Sequence, residues 1–553
     1  MKPVLLTLVC LAFTIHTGAQ DAKSRPAVVS LEGTVVNGQG GEPIRKATVQ
    51  AISETKAQGE PEVYSATSDS EGHFKIDSMD PGRYRVFVER AGFIDVDRHR
   101  RRSDGVELTL EAGKPIKDFV VRAIPAAAIS GRVLDEDGDP MPSVAISVLR
   151  MGYSSCRPQL DTEGSERTND LGEYRVGGLT PGKYFVSASP LPGYTSVRDA
   201  ANRDTTSRPD MAYITTYYPG VNDPSQAAAV ELHAGETVPV DFSLARAPSF
   251  RVRGIVGNID SVTETEPDTK GIVILRPTAP DSTIREGEID RHGNFEVRSV
   301  PPGTYSVSAI TNDGGALSST KTIEVASTDI TNLRLMAENR SGIRGHLRVE
   351  GARNADLTAF HIGLRSSSQE PYLGAIGPDD ARVKADGSFE LAHVPPGVYE
   401  LFVVAFSSPS ASYFIKQVRV GGRDVADAAI RLGNEPVAVE VLASSATAQV
   451  EGSVTDHDEP VANATVVAVP NPSRRGISEH YQTAFTDQHG RFRIRGLRPD
   501  DYTLLAWDDV ESGAWCDPEF LKSYENSGQA VHLPESASST VKLTVIPALN
   551  PAK

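Results

Sequence analysis

Two His-x-x-Glu pairs, His233/Glu236 and His532/Glu535, are the first residues of this chain whose types and spacing could do chemistry. Histidine nitrogens and carboxylate oxygens bind zinc, and hydrolysis at zinc needs about three protein ligands, a bound water and a pocket. Both pairs fall at or beside a turn after a short apolar run, where related stretches carry Glu111, Ala326 and Gly421. Position in a repeat therefore explains them better than metal does, and no metal or other cofactor is expected. Asp135-Glu136-Asp137-Gly138-Asp139 resembles a calcium loop. Such a loop needs about six or more oxygens at set offsets and usually a distant bidentate Glu, whereas a hairpin turn between two strands already accounts for the run. The chain has no Gly-x-Ser-x-Gly elbow, His-Glu-x-x-His helix or phosphate loop. The expectation is a protein that is not an enzyme.

The remaining candidates are aromatic. Tyr213, Tyr217 and Tyr218 cluster in one stretch, and Trp507 and Trp515, the only tryptophans, lie in another. Sugars stack on such rings when carboxylates such as Asp508, Asp509 and Glu511 flank them. Trp507, Trp515, Tyr217 and Tyr218 are therefore the candidate ligand-binding residues, with a polysaccharide as ligand. The competing and favoured reading is that these rings staple their stretches onto an underlying sheet, since Tyr and Trp have large apolar bodies to bury. Cys156 and Cys516 stand too far apart in sequence for a disulfide framework and are too few for a closed metal site. They can pair only if the fold brings their Cα atoms within about 7 Å.

The elements that must position these residues begin after an export signal. Lys2 precedes an apolar core from Val4 to Ile15, and Thr17-Gly18-Ala19 supplies small residues for cleavage near Ala19 or Gln20. Lipidation at Cys10 is the alternative. The apolar run is shorter than the roughly 20 residues that span a bilayer, and no second membrane segment follows. An extracytoplasmic location is expected, whether periplasmic, cell-surface or secreted. The net charge of −17 argues against nucleic acid or anionic lipid as partner, because both need basic patches. The run Arg98-His99-Arg100-Arg101-Arg102 is a local exception that reads as a solvated loop.

Self-similarity dominates the rest. An opening glycine recurs as Gly33, Gly131, Gly254, Gly345 and Gly452. A polar turn with Gly before an aromatic recurs as Gly72-His73-Phe74, Gly172-Glu173-Tyr174, Gly293-Asn294-Phe295, Gly387-Ser388-Phe389 and Gly490-Arg491-Phe492. In all five copies a Tyr follows 12 residues after the turn glycine: Tyr84, Tyr184, Tyr305, Tyr399 and Tyr502. Pro-Gly (Pro499-Asp500 in the fifth copy) precedes it and presets a β-turn. Period-two alternation after that Tyr predicts a half-buried strand, and the Tyr itself reads as structural, like a tyrosine corner. Asp223-Pro224 and Asp517-Pro518 carry a helix-start signature.

These motifs resemble carboxypeptidase regulatory-like domains, which are transthyretin-like sandwiches grouped with carbohydrate-binding-like folds and close to Cna-B-type repeats. Copies one, two and five match best. Copies three and four lack the Pro-rich hairpin after the opening glycine, and Lys384-Ala385-Asp386-Gly387 lacks the first Asp. The resemblance implies an all-β chain of five tandem seven-stranded antiparallel β-sandwich modules. They are expected at 29–125, 127–248 with an insertion at 195–229, 250–338, 341–443, and 448–548 with an insertion at 507–528. Short links such as Ala123 to Ala128 and Arg246 to Ser249 predict a rod. The function expected is a modular scaffold or binding protein whose partner is a polysaccharide or a cell-surface protein. The alternatives are a carbohydrate-binding protein and an accessory to an extracytoplasmic hydrolase or transport system.

Overall fold

The computed structural model describes residues 28–54, 61–95, 105–154, 156–190, 210–258, 269–278, 284–311, 316–318, 320–339, 341–351, 355–366, 381–394, 396–405, 413–425, 429–433, 435–476 and 478–547. The export signal at 1–20, the Arg98–Arg102 run and the first part of the 195–229 insertion lie outside them.

The repeated motif builds one local structure. Asp69 Oδ1 accepts the backbone N–H groups of Glu71 and His73. Asn169, Asp290 and Asp487 cap their turns in the same way. The turn glycines have φ values from +69° to +87°, a region closed to most side chains. In the fourth copy Lys384 stands at the capping position, and Asp386 takes the Ser388 N–H instead.

The opening glycine has a different reason. In every copy it lies directly opposite the aromatic of the turn: Gly33–Phe74, Gly131–Tyr174, Gly254–Phe295, Gly345–Phe389 and Gly452–Phe492. A Cβ on Gly254 would stand 2.0 Å from the Leu333 carbonyl oxygen and 2.7 Å from the Phe295 ring. Glycine is there because a neighbouring backbone and a ring occupy the space of a side chain. In four of the five copies, all but the second, the residue before it pairs in charge with the facing strand: Glu32–Lys75, Arg253–Glu296, Arg344–Glu390 and Glu451–Arg493. The signs are swapped between the end copies and the middle ones, so register rather than one charge is what persists.

The repeated Tyr hooks back four residues. The hydroxyls of Tyr84, Tyr184, Tyr305 and Tyr502 donate to the carbonyls of Asp80, Thr180, Pro301 and Arg498. In copies one, two and five a buried hydroxyl also fixes the Pro-rich hairpin. Ser68, Thr168 and Thr486 each accept one backbone N–H and donate to one carbonyl of that loop. Copies three and four carry the buried Ile289 and Val383 at this place, consistent with the missing hairpin.

Strands fill nearly all of the regular structure. Two sheets face each other in the first copy, ordered 73–79, 29–37, 116–125, 93–95 and 63–67, 48–53, 82–89, 106–110. The pattern is not purely antiparallel as the sequence suggests. The last strand runs parallel to the first in each copy, as in Val29–Asn37 with Ile116–Pro125. The third copy departs further, because its strands join edge to edge into a closed ring. Asp210–Tyr213, from the second copy's insertion, adds a strand to its Arg246–Gly257. Buried hydrophobics form separate clusters, each drawn from one stretch: 31–123, 127–244, 252–335, 343–443 and 448–543. Among the described residues no helix is long and apolar enough to cross a membrane.

The copies do not run as a rod. The fifth meets the first, the second and the fourth. Thr109, on the edge strand Val106–Leu110, donates its N–H to Gln488 Oε1 at 3.1 Å and accepts from Gln488 Nε2 at 2.7 Å. A side-chain amide thus does what a neighbouring strand would do for that edge. Links as short as those at 123–128 restrict neighbours but do not stop a distant copy from folding back.

Candidate functional site

The site that the fold builds is a clasp between the second and fifth copies. Ala145–Ser154 and Arg157–Arg167 form a long hairpin. Only its base, Ala145–Leu149, pairs with the next strand, Gly182–Ser189. From Arg150 onward the hairpin is a two-stranded arm with Cys156 at its tip, where φ is +61°.

The fifth copy receives this arm with its insertion. After Trp507 the chain turns at Gly513, enters a 3-10 turn at Ala514–Cys516 and continues into the helix Pro518–Lys522. Asp517 caps that helix by accepting the Glu519 N–H, with Pro518 at its first position. Asp223 does the same for the Pro224–Gln226 turn. Both helix starts stand where the Asp-Pro signature puts them.

Cys156 and Cys516 are disulfide-bonded, with Cα atoms 4.9 Å apart. Around the bond a cluster forms from Val467, Val469, Tyr481, Leu505, Trp507 and Leu521. Gly513 leaves room for the arm, since a Cβ there would lie 3.1 Å from Tyr153. The Tyr153 ring meets Phe520 edge-on at 6.4 Å, and Trp507 meets Tyr524 at 5.5 Å. At the rim Arg150 and Glu511 pair at 3.2 Å. Burial, aided by Asp517 and Glu511, raises the Tyr153 phenol above its ordinary value, so it stays neutral. Burial pushes Tyr481 up to about 12. The arrangement is a covalent tether in an apolar seat.

The sequence did carry a signal for this seat. Thr465–Pro470 is buried at every residue. Val466 and Ala468 face the copy's own core while Val467 and Val469 face the clasp. A strand covered on both faces reads as a continuous apolar run, unlike the alternation of Tyr84-Arg85-Val86.

The candidate ligand residues are corrected by burial. Trp507 and Tyr217 are each 1% exposed, so neither offers a ring face to a sugar. Trp515 and Tyr218 are half-buried and pack against the hydrophobic clusters. The two groups are not brought together either. Tyr217 pairs at one edge of the sheet whose opposite edge is the clasp hairpin.

The histidine pairs separate as well. His233 and Glu236 meet at 2.9 Å across an exposed turn. His532 pairs with Asp501 at 2.7 Å, while Glu535 goes to Lys416. Asp135 Oδ1 accepts the N–H groups of Asp137 and Asp139, and Glu136 pairs with Arg246. Among the described residues no group of three or more His, Cys, Asp or Glu is placed to hold a metal ion. An open depression of about 810 Å³ on the third copy is lined by both signs of charge, including Arg253, Arg334, Glu288 and Glu296.

Residues 30–122, 128–245 and 449–510 match the carboxypeptidase regulatory-like domain family. These three matched stretches are the same copies that keep the hydroxyl-fixed hairpin. No curated protein matches the chain. Among solved structures it is similar to a minor pilin of Streptococcus agalactiae, at 14% identity over 40% of this chain and 97% of that one, TM-score 0.22. It is also similar to a shaft pilin of Lactobacillus rhamnosus GG, at 11% identity over 40% and 98%, TM-score 0.19. The major pilin subunit of Bacillus cereus gives 12% identity over 58% and 99%, TM-score 0.14.

Proposed function

We propose that this chain is an exported, non-enzymatic scaffold of five β-sandwich modules, 29–125, 127–248, 250–338, 341–443 and 448–548, folded back on itself and fastened by its last module. The observation that carries the reading is the Cys156–Cys516 bond set in a hydrophobic cluster of its own. A disulfide of this kind persists in an oxidising compartment, which agrees with an export signal at 1–20. The motif residues support a structural rather than a chemical role: glycines answer backbone approach, carboxylates cap turns, and tyrosines hold corners. Such a body presents broad strand surfaces to a partner at the cell surface. The test is to recover the native protein and determine its compartment and its N-terminus. The reading expects an extracytoplasmic protein beginning after Ala19 or Gln20. A cytosolic protein with an intact N-terminus contradicts it.

A further inference from the structure

His480 sits where the fifth copy meets the fourth, and both of its ring nitrogens face acceptors. Nδ1 is 2.9 Å from the Arg474 carbonyl oxygen, and Nε2 is 2.9 Å from Glu400 Oε1. A carbonyl cannot donate a hydrogen bond, and an ionised carboxylate cannot either. A neutral imidazole carries one N–H and the imidazolium carries two. Only the charged ring satisfies both partners. The two side chains are 18% and 14% exposed, so water screens the pair less than it would at the surface.

We propose that His480 and Glu400 form a pH-sensitive latch, closed between the fourth and fifth copies while the ring holds both protons and released as pH rises and one is lost.

Among the described residues, Glu400 and Arg474 are the charged groups that act on the ring. On the fourth copy Glu400 lies in Gly397–Ala405, with Arg365 opposite it in register on Phe360–Ser366. On the fifth copy the Arg474 guanidinium opposes a charged ring, and it lies 3.4 Å from Asp500. Arg475 pairs with Glu525 at 3.2 Å. Burial alone would lower the pKa of His480. The hydrogen bonds to Glu400 and to the Arg474 carbonyl outweigh it, and the net direction is above the ordinary 6.5. The latch therefore contributes in full below about 6.5 and is lost as pH rises through the folded value. Lys416 and Glu535 form a second pair joining the same copies at 2.9 Å. That pair is solvated and contributes little. The disulfide ties the fifth copy to the second, so this contact can open while the clasp holds.

The experiment uses the full chain with its disulfide intact and ¹³C-labelled histidine. NMR follows the histidines across the neutral and alkaline range, with His480→Gln identifying the resonance. Hydrogen-exchange protection factors are read over 478–485 at both ends of that range. The His480 midpoint is expected above 6.5, falling by about one pH unit or more in Glu400→Gln. Protection over 478–485 is expected to drop roughly tenfold on going alkaline. His480→Gln, whose amide does not titrate, shows no such step. A midpoint at or below 6.5, or an equal step in His480→Gln, overturns the latch. If His480→Gln does not fold by circular dichroism, Glu400→Gln takes its place in the exchange experiment, and a step of wild-type size there overturns it equally.

Discussion

Gln488 holds Thr109 by both backbone groups, accepting its N–H at 3.1 Å and donating to its carbonyl at 2.7 Å, although one belongs to the fifth copy and the other to the first. With Asp487 accepting the Thr109 hydroxyl at 2.9 Å, this contact and the disulfide clasp give the chain a closed course. Local motifs build each copy, and a small set of contacts far apart in sequence decides how the copies meet.

Each hydrophobic cluster of a copy draws on its own stretch, so opening the clasp should not unfold the copies. Cys516→Ser is expected to leave the far-UV circular dichroism unchanged. Hydrogen-exchange protection over residues 150–162, the unsupported arm, is expected to collapse. Unchanged protection there would mean that the arm holds without its bond.

Trp507→Ala should be costly because it removes the largest buried side chain of the clasp. A loss of about 3–5 kcal/mol is expected for the fifth copy, read by chemical denaturation. A loss under about 1 kcal/mol would place the ring at a surface rather than in a core.

The opening glycines are steric necessities. Gly254→Ala puts a methyl 2.0 Å from the Leu333 carbonyl oxygen, and a cost of several kcal/mol to the third copy is expected. Gly177→Ala is the control, since nothing lies within 4 Å of its Cβ position. It should change stability by no more than about 0.5 kcal/mol. Equal effects from the two would remove the close-approach argument.

Much of this was legible before the fold was known. The interval from turn glycine to tyrosine locates a strand that carries the Tyr as its third residue, and the Asp-Pro pairs locate two of the short helical turns. Other features were not legible. Parallel pairing of first and last strands joins residues as distant as Gly33 and Phe119, and local alternation looks the same for either direction. Cys156 and Cys516 show nothing in their spacing that says they meet. Arg150, Tyr153, Glu511 and Gly513 follow no period, because a contact between copies is written once. The tryptophans were readable only as apolar bodies with a polar edge, and burial rather than residue type decides which side of that description matters.

The buried hydroxyl of Thr486 accepts the Ala464 N–H at 2.8 Å and donates to the Val461 carbonyl at 2.7 Å. Thr486→Val keeps the shape and strands both groups, so a loss of about 1–3 kcal/mol is expected in the fifth copy. Ile289→Val, at the equivalent place where no hairpin is held, deletes one buried methylene and should cost about 0.5–1.5 kcal/mol.

Burial, with Asp500 adding to it, pushes the Tyr502 phenol up to about 12. The folded state keeps a proton that the unfolded chain gives up near 10, so stability is complete below about pH 10 and falls as pH rises through about 12. Tyr502→Phe should flatten part of that alkaline loss. It should also cost about 0.5–1.5 kcal/mol at neutral pH through the missing bond to Arg498. An alkaline profile identical to wild type would show that Tyr502 ionises as freely in the folded chain as in the unfolded one.

Non-reducing peptide mapping of the native protein tests the closed, oxidised scaffold most directly. The prediction is one cross-linked species joining the Cys156 peptide to the Cys516 peptide, released into two on reduction. Recovery of both cysteines as free thiols from correctly folded native protein would contradict it.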